Sequence, residues 1–166
     1  MYILIQVVVF VVLVILQLAV VTAIPLLHGT ADLLLLWVAG WALLSRGRSA
    51  WLYALAASVS MAYVSAINPI VPFASYFSVV LMARFFQNRI WQSPIMALII
   101  VSFAGSLIQS LLSFAAITVS GVSIDLQVSL VQVIIPTLFL NLLLALPVYA
   151  VGRDLHRLLY PFEVEI

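Results

Sequence analysis

The sequence predicts an all-α integral membrane protein, a single membrane domain of six transmembrane helices over residues 1–166. Three observations predict it. Hydrophobic residues make up 67% of the chain and charged ones 7%, against roughly 45–50% and about 25% in soluble domains, so a soluble fold of this size has too few polar side chains to cover its surface. The apolar residues gather in runs comparable to the roughly 20 residues that cross a bilayer as a helix. The six basic residues, all arginine, fall in three pairs: Arg46 and Arg48, Arg84 and Arg89, Arg153 and Arg157.

The first expected span covers residues 2–24, an apolar run interrupted only by Gln6, Gln17 and Thr22 and ended by Pro25, which cannot continue a helix. It reads as a span and not as a cleaved leader, because no basic residue precedes it and its length exceeds the usual leader core. The second, 31–45, is the shortest. Its apolar part from Leu33 to Leu44 reaches only about 18 Å at 1.5 Å per residue, so crossing requires Ala31, Asp32 and Ser45 to join the helix and Arg46 to extend outward along its stem. Residues 51–67 form the third span, broken at Asn68 and Pro69 because proline disfavours helix in the residue before it. The fourth, 70–86, ends at the polar run "ARFFQNRIWQ"; the fifth is 93–119; the sixth, 128–151, contains Pro136 and Pro147.

Between successive arginine pairs lie two apolar helices and one turn free of arginine, around Asn68 and around Asp125. All six arginines are therefore expected on one face, and by the positive-inside rule that face is cytoplasmic, with both termini inside and three short loops outside. Trp51 and Trp91 flank the first two basic turns, where interfacial aromatic residues are expected. The arginines become candidate contacts for lipid headgroups or cytoplasmic components. At the last pair, Asp154 lies within reach of Arg157, and cations there also suit the negative end of a helix.

Several side chains stand out from the apolar background. Gln6 and Gln17, eleven residues apart, return to nearly one helix face and are placed to bond a neighbouring helix. Ser102, Gly105, Ser106, Gln109 and Ser113 recur at helical spacing on the fifth helix, and Ala54 and Ser58 begin a similar stripe on the third. Small residues allow close backbone approach, either inside the bundle or against a partner's helix. Asp32 is expected to cap the second helix, with a functional role as the alternative for an acid at the edge of a membrane. Asn141 shares a face with Ala145 and Tyr149. It either bonds another helix or joins Asp32 and Tyr149 in lining a polar pocket.

Catalytic and metal-binding patterns are absent from the sequence. There is no cysteine, no glycine-rich phosphate loop and no set of nucleophile, base and orienting group. His28 lies four residues before Asp32, but Pro25 and Gly29 argue against one helix through both, and no third ligand is apparent. No cofactor, metal or nucleic acid is expected.

The short second helix opening "ADLLLLWVAGWALL", the last helix closing "NLLLALPVYAVGRDLHRLLYP", and the six-span layout with both ends inside resemble the rod shape-determining MreD family over essentially the whole chain. Members typically open the second helix with Pro-Asp-Leu. Asp32 and Leu33 match, while Ala31 stands in the place of proline. Many members also carry an acid late in the third helix, and "SVSMAYVSAINPIVPF" has none. The resemblance implies a non-catalytic scaffold in the bacterial inner membrane. Its implied partners are an MreC-like single-span protein, a cell-wall polymerase and a penicillin-binding transpeptidase, and indirectly an actin-like filament, in the elongation machinery that governs cell shape. It also implies a fold similar to the substrate-binding membrane subunit of energy-coupling-factor transporters, which makes a small-molecule-binding transporter subunit the alternative function.

Overall fold

The computed structural model describes residues 2–21, 29–45, 47–65, 68–89, 94–122 and 125–160. Among them there are six helices. α1 (Tyr2–Leu16) continues into a π-helical turn, Gln17–Val21. α2 is Leu33–Leu44, α3 Ser49–Val64, α4 Ile70–Arg89 and α5 Pro94–Val119. α6 runs from Leu126 to Leu159 and contains a π-helical turn at Leu130–Ile134. α5 and α6, together with Ile70–Gln87 of α4, are long and apolar enough to cross a membrane; Leu4–Ala19, α2 and α3 are apolar but shorter.

The helix boundaries differ from the expected spans in instructive ways. Ala31, Asp32 and Ser45 lie outside α2, so the second helix has only the short apolar length and no polar extensions. α6 runs eight residues past Val151, because Arg153, His156 and Arg157 are compatible with helix and only the hydrophobicity stops there. Pro136 does not break α6; the π-helical turn lies directly before it. A proline has no N–H for the carbonyl four residues earlier, and widening the preceding turn accommodates the missing bond.

α2 is the axis of the bundle. Every residue from Leu34 to Ala42 is buried, so this helix is covered on all sides. α3, α4, α5 and α6 pack around it, and Ile5, Val9, Phe10, Leu13 and Val14 of α1 complete the wrapping. The C-terminal half of α2 is ringed by aromatic contacts. Trp37 stacks on Trp41 with centroids 5.7 Å apart, Tyr53 of α3 meets Trp41 edge-on at 5.2 Å, and His156 of α6 does so at 5.5 Å.

Small residues set the closest approaches. A Cβ on Gly105 would lie 2.5 Å from Cγ2 of Val79, and one on Gly40 would lie 3.3 Å from Cδ2 of Tyr149. Gly29 runs against the backbone of α6, where a Cβ would meet the Thr137 nitrogen at 2.7 Å.

The ends of the bundle differ in charge. Arg84 of α4 donates to the Gly47 carbonyl beside the C-terminus of α2. His156 contacts Trp41, and Gln6 of α1 donates to the Tyr160 hydroxyl at 3.3 Å. The start of α1, the end of α2 and the end of α6 therefore meet at one end, which also carries Arg48, Arg84, Arg153 and Arg157. Asp32, Asn68 and Asp125 lie at the other. Asp154, within reach of Arg157 by its spacing, pairs with Arg153 at 3.3 Å; both side chains are exposed, so the pair adds little stability. Arg46, Trp91 and the side chain of Arg89 lie outside the described residues.

Replacing Gly105 with valine forces Val79 and the α4–α5 contact apart. Overpacking a filled interior costs about 1–3 kcal/mol, so the variant should lose helicity at a lower temperature than the wild type in detergent, as followed by circular dichroism.

Candidate functional site: an acid at the start of the buried helix

A helix leaves its first N–H groups without partners inside the helix, and the start of α2 is largely buried among its neighbours. The chain satisfies them with side chains from other elements. Asp32 caps α2 in an extended conformation, its Oδ1 accepting from the Leu35 N–H at 2.8 Å. The Leu33 N–H donates to Oε1 of Gln17 at 2.7 Å, and the Asp32 N–H donates to Oδ1 of Asn141 at 2.7 Å. Gln17 in turn donates to the Ala31 carbonyl at 3.0 Å, and Asn141 to the Ser106 hydroxyl at 2.7 Å.

The second carboxylate oxygen of Asp32 draws in two further helices. The Tyr76 hydroxyl of α4 donates to Oδ2 at 2.8 Å, and the Gln109 amide of α5 donates to the same atom at 2.7 Å. Thr30 adds a backbone N–H to the Thr137 hydroxyl of α6 at 3.3 Å. Asp32, 5% exposed, and Asn141, 1% exposed, thus form a polar knot that joins α1, α2, α4, α5 and α6. Hydrogen bonds in a low-dielectric interior are electrostatically stronger than in water.

Above the knot, away from the arginine end, lies a cavity of about 410 Å³. Its polar wall includes Asp32, Gln109, Ser110, Ser113 and Thr137, and its apolar wall includes Met61, Phe114, Ile117 and Val133. The cavity follows from helix length: α2 stops at Leu33, while α5 and α6 continue past it.

The other sequence-derived candidates are placed as follows. Ser102, Gly105 and Ser106 are buried, against α4 and α6 of the same chain, through Val79 and Asn141. Ala54 and Ser58 are also fully buried, with the Ser58 hydroxyl donating to the Ala54 carbonyl at 2.7 Å. These five residues therefore face inward, and a partner's helix has no access to them in this fold. Gln109 and Ser113 line the cavity. Tyr149 is not with Asp32; it packs on Gly40, about two turns of α6 further from the cavity than Asn141. Arg48, Arg153 and Arg157 are exposed, while Arg84 is partly buried over the α2–α3 turn. Arg46 and His28 lie outside the described residues, and among those described no three His, Asp or Glu side chains gather as a metal site.

Sequence reasoning does not find Tyr76, or the bonds from Gln109 and Gln17 to the start of α2. Tyr76 is the one hydroxyl-bearing aromatic in the apolar stretch "PFASYFSVV", and that is the signal that points to it. Comparison with protein-family models, curated proteins and solved structures gives no match.

The knot predicts an order of stabilities. Asp32→Asn keeps an acceptor for the Leu35 N–H and should be tolerated, because asparagine caps helices as well as aspartate does. Asp32→Leu should be the most damaging, since Leu35, Tyr76 and Gln109 all lose their acceptor. Tyr76→Phe and Asn141→Leu should each cost about 1–3 kcal/mol. Together they should be non-additive, because both act on one network. Thermal unfolding in detergent reads each value, and strict additivity would show that the knot is not cooperative.

Proposed function

We propose that the chain is a non-catalytic scaffold of the MreD type, residing in the bacterial inner membrane with both termini in the cytoplasm, within the machinery for lateral cell-wall synthesis. One observation carries the reading. Asp32, Tyr76, Gln109, Asn141 and Ser106 bond one helix to another, so this polar knot serves to hold shape. All four described arginine side chains lie at one end, which supports an even number of crossings under the positive-inside rule.

A scaffold acts through its outer surface. α1 exposes Leu4, Val7, Val8, Val11, Val12 and Ile15, an apolar face suited to lipid or to another helix. Beside it, a groove of about 190 Å³ between α1 and α3 is lined by Val7, Phe10, Leu52 and Ala56, and offers a seat for one side chain of an MreC-like partner's transmembrane helix. Contact with the polymerase and transpeptidase, and indirectly with the actin-like filament, follows from this role and not from any feature of the fold.

The cavity over Asp32 favours a second reading, the small-molecule-binding subunit of an energy-coupling-factor type transporter. Its volume falls within the range of about 300–1,000 Å³ typical of small-molecule sites.

Coexpression with an MreC-like single-span protein, followed by detergent purification, tests the scaffold reading. The two should co-elute, and a photo-crosslinker at Leu52 should capture the partner while one at the buried Ser102 should give only contacts within the chain. Failure to co-elute, with the chain itself well folded, would remove the proposed role.

A further inference from the structure

A carboxyl group at position 32 exceeds what the fold requires. Asparagine and aspartate are equivalent helix caps, and an amide at position 32 could accept from the Leu35 N–H, with the Tyr76 hydroxyl and the Gln109 amide turning to match it. A carboxylate in the same place adds the desolvation cost of a buried ion, several kcal/mol even after relaxation. A carboxylate presents about four lone-pair sites. Leu35, Tyr76 and Gln109 occupy three, and the Leu34 N–H also bonds to the carboxyl, so a ligand on the cavity side would share these oxygens with the knot.

No cation among the described residues faces this group. Arg84 is bonded at Gly47 and Arg153 at Asp154, while Arg48, Arg157 and His156 share that same end of the bundle, a helix length of about 18 Å from Asp32. A hydrocarbon layer about 30 Å thick that began at Ser45 would extend about 12 Å past the 12 residues of α2 and would place Asp32 within it. An ionisable side chain at that depth marks a functional site more often than a structural one.

The cavity extends from this acid toward the outer boundary. It holds no cationic side chain on its described lining, which disfavours phosphates, carboxylates and other anions. Gln109 brings its carbonyl oxygen as a second acceptor on the wall, and Ser110, Ser113 and Thr137 bring hydroxyls. Phe114, Ile117 and Val133 offer an apolar surface beside them, and a ring such as Phe114 also attracts a cation held near its face.

We propose that this cavity is a binding site for the primary ammonium group of an amphiphile, with the ammonium on Asp32 and the apolar portion against Phe114, Ile117 and Val133. A free aliphatic amine and the headgroup of an aminophospholipid from the outer leaflet present the same chemistry. The site does not depend on the scaffold reading: a chain that fails to bind an MreC-like partner would still bind the amine, and one that binds the partner would still lack the site if the amine test fails.

The test uses the full chain in nanodiscs of phosphatidylglycerol, with hexylamine as the probe and hexanol as its neutral isostere. A ligand that binds only the folded state raises the unfolding temperature in proportion to its occupancy. Hexylamine should raise it saturably and hexanol should not. Asp32→Asn should weaken the apparent hexylamine affinity by more than about tenfold, the effect of removing one partner of a desolvated charge pair. Ser113→Phe, which fills the cavity without touching the Asp32 bonds, should abolish the shift, and it carries the test if the Asp32 variant does not fold.

Replacing phosphatidylglycerol with phosphatidylethanolamine separates the sources. A raised unfolding temperature, lost in Ser113→Phe and no longer moved by hexylamine, identifies the lipid headgroup; an unchanged temperature with the hexylamine shift preserved identifies a free amine. Equal shifts with hexylamine and hexanol, a shift that survives in Ser113→Phe, or no shift in either disc overturns the proposal.

Discussion

A helix of 12 residues buried from Leu34 to Ala42 must have both of its ends satisfied largely inside the protein, and the remaining helices are arranged around that requirement. Unpaired backbone groups in hydrocarbon cost several kcal/mol each, so neither end of α2 tolerates neglect. At the N-terminus the partners are Gln17, Asn141 and the side chain of Asp32 itself. At the C-terminus Gln87 of α4 donates to the Leu43 carbonyl at 3.0 Å, and the Ser45 N–H closes on the Trp41 carbonyl at 2.8 Å. α4 serves both ends, through Tyr76 at one and through Arg84 and Gln87 at the other, which fixes its height against α2.

The packing between these ends has a different origin. Within lipid there is little hydrophobic gain in bringing apolar helices together, so close contact and specific hydrogen bonds decide the arrangement. Gly105 against Val79 and Gly40 against Tyr149 supply the contact. Asp32, Asn141 and Ser106 supply the register, since sliding any one helix by a turn would separate donors from acceptors in all of them. The polar knot therefore specifies which of many apolar packings the chain adopts.

This division explains what could be read in the sequence. The six helices, the break at Asn68 and Pro69, the capping role of Asp32 and the segregation of the described arginines follow from local rules: proline geometry, capping chemistry and the length of apolar runs. The meeting of Tyr76 and Gln109 at Asp32 follows from which helix faces meet. In a soluble bundle, amphipathic periodicity marks the inner face. Here both faces are apolar, that contrast is missing, and the serine stripe on α5 favours internal packing without identifying the helix it meets. The inward placement of the stripe is decided by Val79 on α4, against Gly105, and Asn141 on α6, bonded to Ser106, which no local pattern identifies. The extent of α6 was hidden for a related reason, because hydrophobicity reports where a membrane would end, and the helix continues through Arg153 and Arg157 beyond that point.

The two ends of α2 also leave the molecule asymmetric. At the arginine end, Trp37, Trp41, Tyr53 and His156 fill the space between helices, and large rings resist rearrangement because each fills volume that nothing else nearby replaces. At the acid end the neighbours of α2 outlast it, and among the described residues no helix fills the space beyond Leu33. The π-helical turn of α6 at Leu130–Ile134 lies at that level, and insertions of this kind often accompany functional positions within helices. A ring-packed base at one end and an acid-floored cavity at the other thus arise from one feature, a central helix shorter than the neighbours that surround it.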